Sequence, residues 1–212
     1  MHNSLLVLVD KGLLHRRYKP SDKLIHKPAV YCLAPAGMKA LRHHHEDKGY
    51  ELSDKKLQQL HNTYSDRTAT EKFVTHSMNV MKVVTEIKQQ TPKTYTMQTA
   101  SLMTDRDDDE YPRPKPDIYL KRQKTSQVKP NEYFVDIFEE SVELWIIKKR
   151  IRLYLLHLES YEWSEDVYPT TLLIVKDNKK IASLEKYAAK QIEEQWLEGD
   201  IEFQLSNDLL RL

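Results

Sequence analysis

The sequence predicts a mixed α/β fold, one sheet covered by helices, and three observations carry that expectation. From Thr68 to about Gln90, Phe73, Ser77, Val80, Val84 and Ile87 recur at helical spacing, which gives a long helix with one apolar face ending before Pro92. Three strand-like runs then follow with no helix between them, which implies hairpin pairing. After them, long helical patterns alternate with short apolar runs, which implies parallel pairing across helical crossovers.

The individual elements follow from periodicity and punctuation. Residues 3–12 read as a short helix, with Leu5, Leu6, Val9 and Leu13 on one side and Gly12 as its stop. Leu13–Lys19 and Ala29–Ala34 read as two strands bracketing a polar loop with Pro20, Ser21, Asp22 and Pro28, a β-hairpin with a basic tip. Pro35 opens a helix running to about His45. Helix, basic hairpin and helix together form the second half of a winged helix. The earlier helices of such a module would come from a partner or from a longer native chain, or have been lost. Residues 49–67 read as a polar linker with a weak helical stretch around Leu52, Leu57 and Leu60.

In the remainder, Tyr95–Met103, Asp117–Lys121 and Tyr133–Phe138 are the three strands. An acidic loop, Asp105–Glu110, and a turn with Lys129, Pro130 and Asn131 separate them. Ser141–Trp163 is a helix whose Leu144, Ile147, Ile151, Tyr154 and Leu158 form a stripe. Thr170–Val175 is a buried strand, Lys179–Trp196 a helix and Ile201–Leu205 a last strand. The order is α-β-β-β-α-β-α-β.

Composition narrows the function classes. Of 212 residues, 40% are hydrophobic and 31% charged, the balance of a folded, water-soluble chain. No apolar run reaches the ~20 residues needed to span a bilayer, and the N-terminus lacks the basic region and cleavage site of a signal peptide. Cys32 is the only cysteine, which removes internal disulfides and cysteine-based zinc sites and suits a cytoplasmic location. The formal charge of +1 is uneven: residues 1–48 hold nine lysines and arginines against four acids, so that segment carries +5 and the rest −4. A polyanion would be gripped first by the N-terminal part.

Two groups of residues could carry chemistry. Pro116-Asp117 enters the second strand and Asp136-Ile137-Phe138 lies on the third. That placement is how a restriction-endonuclease-like core, α-β-β-β-α-β, presents carboxylates to Mg²⁺, with a lysine two residues after the second acid to steady the attacking water. Asp117 and Asp136 are thus the candidate catalytic and metal-binding acids, with Glu71 as a further metal ligand. Phe138, however, stands where the lysine belongs, leaving Lys121, Lys148 or Lys149 as possible replacements. The competing reading is that Asp117 and Asp136 only begin strands or cap turns. The second group is the basic hairpin, where Arg16, Arg17, Lys19, Lys23 and Lys27 could contact DNA phosphates, with His15 and Tyr18 interleaved.

Other features carry little. His43, His44 and His45 point about 100° apart on a helix and cannot converge on one ion. His76 reads as a half-buried core residue, and Trp145, Trp163 and Trp196, all on helices, as packing residues. Four scattered glycines cannot build a phosphate loop.

A family resemblance runs through these segments. Leu13-Leu14-His15-Arg16-Arg17, Tyr31-Cys32-Leu33-Ala34-Pro35-Ala36-Gly37, Thr75-His76-Ser77, Pro116-Asp117-Ile118-Tyr119, Phe134-Val135-Asp136, the helix segment 150–154 and the strand 171–175 are similar to the replication-relaxation family of plasmid and mobile-element proteins. The resemblance implies a winged-helix region over 1–48 joined through 49–67 to a nuclease-like domain over 68–212. It departs at Phe138, where the family often has a second acid. The expectation is a DNA-binding accessory protein of plasmid or mobile-element replication and relaxation. It would be non-catalytic and need no cofactor, with double-stranded DNA as partner and other replication or mobilisation proteins alongside. The alternatives are a Mg²⁺- or Mn²⁺-dependent nuclease, and a protein–protein module with no DNA role, such as a homodimer built on its helices.

Overall fold

A computed structural model describes residues 2–26, 28–47, 69–90, 95–100, 103, 111–122, 132–160, 163, 167–197 and 199–207. The expected linker over 49–67, the acidic loop over 105–110 and the turn at 129–131 lie outside the described residues, as does Lys27. The chain divides into two compact units, Met1–Val74 and Thr75–Leu212.

In the first unit, α1 (His2–Asp10) ends where Gly12 takes a φ of 70°, a backbone angle open to glycine without strain. β1 (Leu14–Arg17) then pairs antiparallel with β2 (Val30–Leu33), Arg16 opposite Tyr31. The connection is not the plain loop expected from its turn residues. Pro20–Leu24 makes a single helical turn, α2, because Pro20 fixes a helical φ at its first position and the Asp22 carboxylate accepts the Lys19 N–H at 2.7 Å. α3 (Pro35–Asp47) follows, and its Gly37 lies so near the Leu13 carbonyl that a Cβ would sit 2.1 Å from that oxygen. Only glycine permits this approach.

α4 (Glu71–Gln90) leads into the second unit, whose sheet has the order β3-β4-β5-β6-β7. β3 (Tyr95–Thr99), β4 (Ile118–Arg122) and β5 (Glu132–Phe138) pair antiparallel. β6 (Thr170–Val175) and β7 (Phe203–Ser206) add in parallel, after α5 (Leu144–Glu159) and α6 (Asn178–Glu194) respectively. The expected α-β-β-β-α-β core and the mixed sheet are therefore present.

Strand alternation gives the sheet two apolar faces. Val83, Val84 and Ile87 of α4 cover Ile118, Leu120, Val135, Ile137, Leu172 and Ile174. On the other face Phe134, Phe138, Leu173 and Val175 meet Ile147, Ile151 and Tyr154 of α5 and Leu184 and Ala188 of α6. Trp163 joins this second cluster, but the other two tryptophans do not: Trp145 is 63% exposed and Trp196 is 86% exposed. The expectation that all three are packing residues on helices is corrected for these two, since Trp145 lies on the outer side of α5 and Trp196 follows the end of α6 with a φ of 56°.

Candidate functional site

The site lies at the β4–β5 pairing, and the register explains why its two acids are neighbours. Ile118 pairs with Val135, so Asp117, one residue before β4, falls beside Asp136. The Asp117 N–H donates to Asp136 Oδ1 at 3.2 Å, and the Ile137 N–H donates to Asp117 Oδ2 at 2.8 Å. The acids then turn to different helices, Asp117 to α4 and Asp136 to α5.

Asp136 is buried and fully engaged. Arg150, one turn and a half into α5, closes its guanidinium on the carboxylate through Nε to Oδ2 and Nη2 to Oδ1, the latter at 3.2 Å. The Tyr154 hydroxyl donates to Oδ2 at 2.8 Å, and Arg150 Nη1 donates to the Pro114 carbonyl. Arg150 and Tyr154 are four apart, so one helix face carries both, with the guanidinium 4.4 Å from the ring centroid. Burial alone would lower the Arg150 pKa, but the Asp136 charge outweighs it and the guanidinium stays charged. Burial, followed by the nearby Asp136 charge, pushes the Tyr154 hydroxyl well above its ordinary value, so it remains a donor.

A carboxylate offers about four lone-pair directions. Those of Asp136 meet the Asp117 N–H, two guanidinium nitrogens and the tyrosine hydroxyl. A divalent cation at Asp136 would have to displace Arg150 or Tyr154, so the donor set does not fit the Mg²⁺ site that the fold order suggests.

Asp117 has a different neighbour. His76 of α4 places Nε2 2.8 Å from Asp117 Oδ1 and Nδ1 3.3 Å from Glu139 Oε1, while Asn79 Nδ2, one turn on, donates to Glu139 at 2.9 Å. The hydrogen bond to Asp117 raises the His76 pKa to about 9, the charges of both carboxylates adding to it and burial opposing. At neutral pH His76 is an imidazolium donating from both nitrogens. Burial pushes the Asp117 carboxyl upward, and His76 pulls it back. The sequence-based reading of His76 as a core residue is corrected: it is half-buried, but it bridges two acids. Because these side chains bond one another, they do not converge on an ion. Among the described residues, no three His, Cys, Asp or Glu side chains are grouped so as to hold a metal.

The other expected residues are placed as follows. Phe138 is buried on the α5–α6 face, in the cluster with Ile147 and Leu184. Lys121 pairs with Glu132 at 2.7 Å, Lys148 lies over the Tyr187 ring, and Lys149 is exposed on α5. Glu71 belongs to the first unit, where Lys19 reaches it at 3.2 Å. In that unit Arg17 donates to the Ala69 carbonyl at 2.8 Å, whereas Arg16, stacked on Tyr18, and Lys23 are exposed. Arg17 and Lys19 thus help hold the start of α4, and Arg16 and Lys23 present charge to solvent. Sequence reasoning missed the roles of Glu139, Asn79, Arg150 and Tyr154. The i, i+4 spacing of Arg150 and Tyr154 was the available signal, since an arginine beside an apolar stripe needs a buried acid.

Comparison of the chain with family models, curated proteins and solved structures finds no match.

Proposed function

We propose that this chain is a non-catalytic, duplex-DNA-binding accessory protein, acting in the cytoplasm beside the replication or mobilisation proteins of a plasmid or mobile element. The observation carrying the non-catalytic half is the saturation of Asp136 by Arg150, Tyr154 and the Asp117 N–H, with Phe138 buried where a lysine would serve. Cleavage of a phosphodiester in such a core depends on carboxylates that can take up a metal. Here a fixed guanidinium takes that place.

The DNA half is supported by the +5 charge of residues 1–48 and by Arg16 and Lys23, both solvent-exposed around α2. Phosphate contacts supply most sequence-independent affinity, and each contributes about 0.9 to the slope of log affinity against log salt. Filter binding of a duplex at low salt, repeated across a salt series, tests this reading. The expected result is measurable binding whose slope falls by about two in the R16A/K23A variant. No binding at low salt, or an unchanged slope, would overturn it.

A further inference from the structure

The tip between β1 and β2 holds an arrangement that phosphate contact leaves unexplained. Among the described residues, two of the four most exposed large apolar side chains are sequence neighbours here: Leu24 at 83% and Ile25 at 69%. Single exposed aliphatics are ordinary, but an adjacent pair on a short, fixed turn is not. The turn is fixed at both ends. Pro20 and the Asp22–Lys19 hydrogen bond start α2, and His26, at a φ of 52°, ends it in the left-handed region. Lys23 directly precedes the pair, with Asp22 before it on the same turn and Arg16 on the strand leading in.

We propose that Leu24 and Ile25 form an apolar wedge that enters between base pairs of duplex DNA and unstacks them, while Arg16 and Lys23 hold the adjacent phosphates. The inference rests on the DNA-binding reading above and adds a deformation to it. An apolar side chain gains from leaving water for the space between base pairs, and flanking cations offset the approach to a polyanion. Duplex DNA is the occupant because the exposed Arg16 and Lys23 outnumber the one nearby acid, Asp22, whose carboxylate is engaged by the Lys19 N–H, and because the tip is narrow, with Leu24 ending α2 and Ile25 directly after it. An anionic bilayer would meet the same charges and is the competing outcome of the test.

Partial unstacking unwinds the helix, which can be read without knowing a preferred sequence. Relaxed plasmid is saturated with the full chain, treated with a topoisomerase, stripped of protein and its linking number compared with a protein-free control. Wild type is expected to shift the linking number. L24S/I25S is expected to bind with affinity within about three-fold of wild type, since phosphate contacts are intact, yet to give no shift per bound protein. Leu24→Phe is expected to keep the shift, separating loss of the wedge from a misfolded tip. A shift unchanged in L24S/I25S would overturn the wedge and leave DNA binding standing. Absence of DNA binding by wild type, with or without binding to phosphatidylserine vesicles, would overturn both.

Discussion

Arg150 closes on Asp136 as a two-pronged guanidinium–carboxylate pair inside the domain, both side chains over nine-tenths buried. The pair ties α5 to β5 at the point where a nuclease of this element order needs an open acid. Removing one partner leaves an uncompensated buried charge, which costs about 3–5 kcal/mol. Arg150→Ala is therefore expected to destabilise the domain by that amount in urea unfolding, and Arg150→Lys to recover only part, since an ammonium cannot make both contacts. The double replacement R150M/D136L, which removes both charges, is expected to be far less harmful than R150A. Equal losses for the single and double variants would contradict the account.

His76 gives the domain a pH response of known sign. Its folded-state pKa of about 9 lies above the ordinary 6.5. Its contribution is therefore complete below pH 6.5 and is lost as pH rises through about 9. The raised Asp117 carboxyl has the same sense in the acid range, its contribution being lost as pH rises past its ordinary value. The His76 side chain is 37% exposed, so solvent screens part of the effect. Thermal melts from neutral to alkaline pH should fall more steeply for wild type than for His76→Gln. Parallel curves would remove His76 from this role, and an imidazole titration near 6.5 by NMR would do so directly.

Restoring the lysine should not restore a nuclease. Phe138 lies among Ile147, Val175 and Leu184, so the ammonium of Phe138→Lys would have to be buried among apolar groups. The expected loss of stability is about 4 kcal/mol, with no gain of plasmid nicking. A stable variant that nicks DNA would show that Asp136 remains accessible to metal.

In the first unit, Gly37→Ala is expected to cost about 1–3 kcal/mol, because the Cβ meets backbone rather than a movable side chain. Gly12→Ala meets nothing within 4 Å and carries only the strain of its positive φ, about 1 kcal/mol. Proteolysis rates of the two variants should rank in that order.

The parts of this structure legible in the sequence are those that depend on local patterning. Leu172–Val175 is an unbroken apolar run because β6 is covered on both faces, and Leu144, Ile147, Ile151 and Tyr154 mark the inner side of α5. α2 was hidden because Pro20, Ser21 and Asp22 serve a turn and a helix start equally well. The acids at 117 and 136 were legible as a pair, but their partners were not. Asp136 meets an arginine 14 residues on and Asp117 a histidine 41 residues back, distances at which no local pattern acts. Trp145 was misread for a related reason: ring size argues for burial, while its position on the helix decides exposure.

Arg150 and His76 lock the two acids of the β4–β5 pair, and the proposed function assigns DNA binding to the basic N-terminal segment. Incubating supercoiled plasmid with the full chain and Mn²⁺, under low-salt conditions where binding is measured in parallel, tests it most directly. The account predicts bound plasmid that stays supercoiled. Nicking by wild type that disappears in Asp117→Ala would contradict it.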